Sequence, residues 1–213
     1  MAIKSIQYRK KIGIALAAGA ISLVGCIWIL APKNDPSPAH ASAGPKRMGH
    51  MQSFEMASSL RPRPTVAWKD DAGLEVSLAN FSGKVVMLNF WASWCSPCLR
   101  ELPSINRLQA RLGSDQFTVV ALNVDRGGKS VASRYKRRLN LDKLNLYLDQ
   151  DNNTVKSMKL QSMPTTIIFD AKGREVGKLV GSAEWDSEEA VGLLQWFIDN
   201  PGHADQLPLK VPS

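Results

Sequence analysis

Short apolar runs alternate with segments of helical periodicity over residues 65–200. Lys84–Trp91 is nearly all apolar, as expected of a strand covered on both faces of a sheet. The next segment, Pro97–Leu112, has apolar residues every three or four positions and predicts a helix. The other predicted elements are hairpins Thr65–Trp68/Leu74–Leu78 and Thr166–Phe169/Glu175–Val180, strands Phe117–Val124 and Leu144–Leu148, and helices Lys129–Leu139, Thr154–Leu160 and Ser187–Asn200. This order predicts an α/β fold with a mixed central sheet flanked by helices.

The start of the chain has a different pattern. Ile12–Ala31 contains no charged residue, and a helix of that length, at about 1.5 Å per residue, spans the hydrocarbon core of a bilayer. Four basic residues and no acid precede it: Lys4, Arg9, Lys10 and Lys11. The positive-inside rule therefore predicts a cytoplasmic segment 1–11, a transmembrane anchor 12–31, and export of everything beyond. The alternatives are a cleaved signal peptide and a lipoprotein acylated at Cys26.

Residues 32–64 are rich in proline and small residues and lack an apolar period, which predicts a flexible linker. They also contain Met48, His50 and Met51, whose side chains are ligand types that suit Cu(I). A copper-holding segment is therefore an alternative to a plain tether. The globular domain is expected at 65–200, followed by a C-terminal tail, 201–213.

The formal net charge of +8 is concentrated near the start of the chain. Residues 1–60 hold seven basic and two acidic residues, which leaves 20 basic and 17 acidic residues in the remainder. The excess of basic residues near the start of the chain is explained by membrane orientation. The charge distribution therefore predicts no nucleic-acid partner. One basic cluster remains on the helix predicted at Lys129–Leu139. It is either a solvated helix face or a docking surface.

Cys95 and Cys98 are the only cysteines of the predicted domain, and they lie between a buried strand and a helix. A helix N-terminus stabilises a thiolate through its unpaired N–H groups and dipole, and Pro97 is tolerated in the first helical turn. We expect an exposed Cys95 to attack a disulfide and Cys98 to resolve the mixed disulfide. A zinc site would need four ligands, and a structural bridge would typically join distant segments, so the spacing favours redox chemistry.

The segment Trp91–Cys98, together with Met163-Pro164-Thr165, resembles the thioredoxin fold. Asn89, Cys98–Pro103, Val120–Asp125 and Gly181–Trp185 make the chain similar to the TlpA/ResA-like family of membrane-anchored, periplasm-facing thioredoxins. The resemblance implies a thioredoxin-like fold with an inserted strand and helix, and a redox-active disulfide that needs no cofactor or metal.

The resemblance also implies roles for particular residues. It implies a cis bond before Pro164, which would leave the backbone of Met163 free to pair with a substrate, and a substrate surface that includes Trp94 and Pro97. Because Asn89 cannot accept a proton at neutral pH, we expect Glu101 to be the third catalytic residue, tuning Cys98 or moving its proton.

Function follows as an expectation from the same resemblance. It implies a single-pass protein of the bacterial inner membrane whose periplasmic domain reduces protein disulfides and receives electrons from a transmembrane thiol transporter. The expected clients have cysteine pairs, as in copper-centre assembly of cytochrome oxidase. The alternatives are reduction of apocytochrome c and an anchored copper-binding module.

Overall fold

A seven-residue strand, Val85–Trp91, lies at the centre of the fold, and all seven of its side chains are buried. The structure is a computed structural model that describes residues 44–208. This central strand pairs in parallel with Phe117–Asn123 and antiparallel with Thr165–Phe169. The continuous apolar run in the sequence is therefore explained by neighbours on both edges and cover on both faces.

Eight strands form one sheet in the order β1-β8-β7-β4-β5-β6-β2-β3. The strands are β1 (Glu55–Arg61), β2 (Ala67–Asp70), β3 (Glu75–Ser77), β4 (Val85–Trp91), β5 (Phe117–Asn123), β6 (Tyr147–Leu148), β7 (Thr165–Phe169) and β8 (Glu175–Val180). The α-helices are α1 (Ser96–Leu112), α2 (Gly128–Arg138), α3 (Asn153–Ser157) and α4 (Glu188–Asp199). The predicted α/β architecture with a mixed sheet is confirmed.

The folded domain begins earlier than the sequence pattern predicts. Residues Gly49–Met51 form a 3₁₀ helix, and β1 pairs antiparallel with β8. Met51 and Phe54 are almost fully buried in the hydrophobic core. The prediction of a flexible linker is therefore wrong for residues 49–61. The sequence pattern missed β1 because it is an edge strand with no fully buried residue and no strict alternation.

The chain beyond Pro201 also packs on the domain. His203–Gln206 form a 3₁₀ helix with Ala204 buried, and Asp205 forms ion pairs with Lys172 and Arg174. The N–H of Leu60 donates to the backbone oxygen of Pro208 over 2.7 Å. The predicted tail therefore belongs to the domain as far as residue 208.

The predicted cytoplasmic segment 1–11, the anchor 12–31 and Cys26 lie outside the described residues. Within residues 44–208, no helix combines the length and the apolar character needed to cross a membrane.

The burial of Met51 gives a test of the early domain boundary. We expect Met51→Ala to lower the free energy of unfolding by about 2–5 kcal/mol, because it removes buried apolar volume from the core. Met48→Ala is the matched control, since Met48 is 57% exposed and its loss should change stability by less than about 0.5 kcal/mol. The measurement is urea unfolding of the full chain in a non-ionic detergent. Equal midpoints for the two variants would contradict the assignment.

Candidate active site

Strand directions bring four chain segments to one edge of the sheet. The parallel strands β4 and β5 both end there. The antiparallel strand β7 begins there, with Thr165 opposite Phe90. The strand β8 ends there, with Val180 opposite Thr165. Residues that follow β4, β5 and β8 therefore meet the residues that precede β7.

The two cysteines form a disulfide at this edge, with Cα atoms 5.3 Å apart. Cys95 is the N-cap residue of α1, and its Sγ accepts a hydrogen bond from the backbone N–H of Cys98 over 3.3 Å. The same N–H can stabilise a thiolate on Cys95 after reduction. The expectation of an exposed Cys95 needs correction, since its exposed fraction is 5%. Its sulfur is bonded to that of Cys98, which is fully buried in the core.

An open groove of about 550 Å³ lies against Cys95. Trp94, Pro97 and Met163, three of the predicted substrate-contacting residues, line it. Trp94 is 68% exposed, which is unusual for so large an apolar side chain. The groove is also lined by residues that the sequence did not single out: Val155, Leu160, Gln161 and Ser162. They lie in α3 and in the segment that follows it, and no local motif marks them.

The Met163–Pro164 peptide bond is cis, as the resemblance implies. The backbone oxygen of Pro164 accepts a hydrogen bond from Gly181 over 2.9 Å, which ties this segment to the loop after β8. Among the backbone hydrogen bonds of residues 44–208, none involves Met163 outside regular strands and helices. An extended peptide in the groove would find these groups available for pairing.

Glu101 lies one helical turn beyond Cys98 and is 2% exposed. Its Oε1 accepts a hydrogen bond from Asn89 Nδ2 over 2.8 Å. Its Oε2 accepts from the backbone N–H of Ala183 over 3.1 Å and from Trp185 Nε1 over 3.2 Å. The carboxyl group of Glu101 is thus enclosed by the protein and is not a solvated group on the helix surface.

Burial raises the pKa of Glu101 from 4.5 to about 7, because the charged form loses its hydration. The hydrogen bonds from Asn89, Ala183 and Trp185 act in the opposite direction, since all three groups donate and favour the carboxylate. The result is a carboxyl group that exchanges its proton near neutral pH.

Three further residues hold the site and were not found from the sequence. Ser104 Oγ donates to the backbone oxygen of Glu101 and accepts from the N–H of Trp185. Asp125, at the end of β5, accepts from both the N–H and the Oγ–H of Ser93, each over 2.8 Å. Ser93 directly precedes the exposed Trp94, so Asp125 holds the backbone in place immediately before the cysteine motif.

The structure places one of the three residues of the Met/His segment in the core. Met51 is fully buried, so its thioether packs in the core and is not available as a ligand. Within residues 44–208, no group of three or more His, Cys, Asp or Glu side chains could hold a metal ion.

Comparison with known proteins agrees with this geometry. The family model Redoxin matches residues 59–194. A thiol-disulfide oxidoreductase ResA from Bacillus cereus is 29% identical over 132 residues, which are 62% of this chain and 74% of the relative. ResA from Bacillus subtilis is 27% identical over 128 residues, which are 60% of this chain and 70% of the relative. A solved structure described as the thiol:disulfide interchange protein DsbE from Chlorobium tepidum has 27% identity and a TM-score of 0.59, and the match covers 67% of this chain and 99% of that chain.

The fold and the cysteine pair define a thioredoxin-like thiol-disulfide oxidoreductase, whose redox centre is the Cys95–Cys98 pair itself. The chain belongs to the Redoxin family.

Proposed function

We propose that the protein is a dithiol reductant of client proteins in the bacterial periplasm. The observation that supports the direction is the small number of groups that donate to Cys95 Sγ in the disulfide form. Among residues 44–208, its Sγ accepts one hydrogen bond, from the backbone N–H of Cys98. Neither Ser96 nor Pro97 adds a charged donor between the cysteines. A strongly stabilised thiolate makes an oxidant, so a modestly stabilised one favours a reductant.

The exchange proceeds in two steps. The thiolate of reduced Cys95 attacks one sulfur of a client disulfide in the groove, forming a mixed disulfide and releasing one client thiolate. Deprotonated Cys98 then attacks Cys95 Sγ, forming the Cys95–Cys98 bond and releasing the second client thiolate. Two electrons pass from the cysteine pair to the client. The two protons that Cys95 and Cys98 lose when they become thiolates are balanced by the two that the released client thiolates take up.

Glu101 is proposed as the base that removes the proton from Cys98. It lies one helical turn from that cysteine, and its pKa of about 7 means that it is ionised at higher pH and can accept a proton. The resolving step should therefore accelerate as the pH rises through about 7.

We expect Glu101→Gln to abolish this inflection and to slow resolution by about a hundredfold, because the amide accepts no proton. The measurement is single-turnover release of the second thiol from a peptide disulfide as a function of pH. Glu184→Gln is the control, since Glu184 is a half-exposed acid that pairs with Arg107. A Glu101→Gln variant with the wild-type pH profile would remove Glu101 from the mechanism.

The direction of the reaction is tested by the reduction potential of the full chain in a non-ionic detergent, equilibrated with glutathione. We expect a value near or below about −200 mV, in the range of reducing thioredoxins. A value near about −120 mV would identify an oxidant and exclude the proposed direction.

The proposed location rests on residues 1–31, whose charge and apolar pattern support a single-pass inner-membrane anchor with residues 32–213 in the periplasm. A transmembrane thiol transporter is proposed as the electron donor, because the sequence has no nucleotide-binding motif. The proposed clients are proteins of cytochrome oxidase copper-centre assembly, where a disulfide between metal-binding cysteines would prevent loading.

Client identity is tested by trapping. Cys98→Ser removes the resolving thiol, so we expect it to accumulate mixed disulfides through Cys95 in cells of the source organism. Cys95→Ser is the matched control and should trap little, because Cys98 is fully buried. Trapped proteins with copper-binding cysteine pairs would support the proposal, whereas apocytochromes c would replace it with the alternative client class.

A further inference from the structure

The net positive charge of the described domain comes from one segment. Residues 126–138 contain six basic residues and no acid: Arg126, Lys129, Arg134, Lys136, Arg137 and Arg138. The rest of residues 44–208 holds 15 basic and 18 acidic residues, so the remainder of the domain is net negative. We refer to these six side chains as the α2 basic surface.

These charges are not neutralised within the domain. Within residues 44–208, none of the six forms an ion pair, whereas nine of the 15 basic residues elsewhere do. Lys129 donates to the backbone oxygen of Asp71, and Arg138 lies over the ring of Tyr135. Five of the six are exposed and Lys136 is half-buried. The surface therefore presents a field that an external anion can neutralise.

The α2 basic surface begins at the same edge of the sheet as the disulfide. Arg126 follows Asp125, which holds Ser93 next to the cysteine motif. From that edge, α2 extends for 11 residues, or about 17 Å. An open groove of about 780 Å³ lies along it, lined by Lys136 and Arg137 and also by Asp71 and Asp142. A protein whose disulfide reaches Cys95 could therefore contact α2.

Val131 is the only partly exposed aliphatic side chain of α2. Ala132 is fully buried, and Tyr135 and Leu139 pack against the core. A helix that lies on a bilayer inserts an apolar face between the lipids, and one partly exposed valine does not form such a face. A carboxylate-rich protein surface suits these cations better than a membrane.

We propose that the α2 basic surface docks an acidic patch on the redox partner whose disulfide enters the groove beside Cys95. This inference rests on the proposed function for the exchange step but not for the docking itself. Docking raises the rate of encounter, and the groove then performs the exchange.

Docking is tested by binding, independently of redox direction. The probe is a fluorescent, cysteine-free peptide of six aspartates, and its anisotropy is measured with the full chain in a non-ionic detergent at low salt. We expect Arg134→Gln combined with Arg137→Gln to weaken binding by about tenfold. The matched control is Lys84→Gln combined with Lys172→Gln, which removes two cations from the opposite edge of the sheet. Equal loss in both variants, or no binding to the wild type, would overturn the proposal.

The effect on exchange is tested with two peptide disulfides that differ only in an aspartate or a serine tail. We expect the reduced wild type to react about tenfold faster with the acidic peptide at low salt, and this advantage to vanish at high salt. The Arg134/Arg137 variant should lose the advantage and the control should keep it. If α2-dependent binding occurs but neither peptide is reduced, the proposed function fails and docking stands. Equal rates for both peptides would refute docking and leave the reductant in place.

A lipid partner is distinguished by hydrogen exchange of α2 with the full chain in nanodiscs. We expect the aspartate peptide to protect residues 128–138 in discs of phosphatidylcholine. Protection by added phosphatidylglycerol, with none from the peptide, would assign the surface to lipid headgroups and overturn the proposal.

Discussion

The enclosure of one carboxyl group links the parts of the site to one another. Glu101 on α1 accepts from Asn89 on β4, and the same amide group also donates to Thr166 on β7. Its other oxygen accepts from Ala183 and Trp185, which follow β8. Burying an ionisable group costs free energy, so these donors are needed to keep the charged form accessible. The balance between burial and donation sets a proton affinity near neutrality, which a solvated glutamate does not have.

This enclosure depends on how the loop after β8 attaches to α1. Four residues spaced three or four positions apart on one face of the helix contact residues 183–188: Glu101, Ser104, Arg107 and Arg111. Arg107 and Arg111 form exposed ion pairs, which contribute little to stability individually. Glu101 and Ser104 are buried, and their hydrogen bonds determine where Trp185 lies. Because Gly181 of the same loop donates to Pro164, this loop contacts both the Glu101 carboxyl group and the Met163–Pro164 segment.

The sequence predicted those parts of the site that consist of residues adjacent to one another along the chain. A buried strand followed by a cysteine pair and a helix is readable along the chain, and so is Met163-Pro164. The donors around Glu101 were not predicted, because Ala183 and Trp185 are 82 and 84 residues away and one of them donates through its backbone. Asp125 and the groove residues in and after α3 were not predicted either, because they are also distant in sequence from the residues that they adjoin.

Errors in the predicted elements have similar physical causes. The strand β1 lies at the edge of the sheet and lacks the alternation that marks a half-buried strand. The helix predicted to reach Leu160 ends at Ser157 as α3, and Lys159 adopts a positive φ of 52°. The fold class was nevertheless correct, because β4, β5 and α1 carry clear apolar patterns and define the layers.

The distribution of charge around the disulfide separates two aspects of recognition. Among residues 44–208, no charged side chain lines the groove beside Cys95, so contact there depends on shape, apolar surface and backbone pairing. Basic side chains that form no ion pair with another described residue lie instead along α2, which starts from the same edge of the sheet. Electrostatic attraction acts over about 8–10 Å in physiological salt and mainly changes the rate of encounter. A neutral groove leaves the sulfur chemistry insensitive to client charge, while the surface on α2 can favour acidic clients before any bond is exchanged.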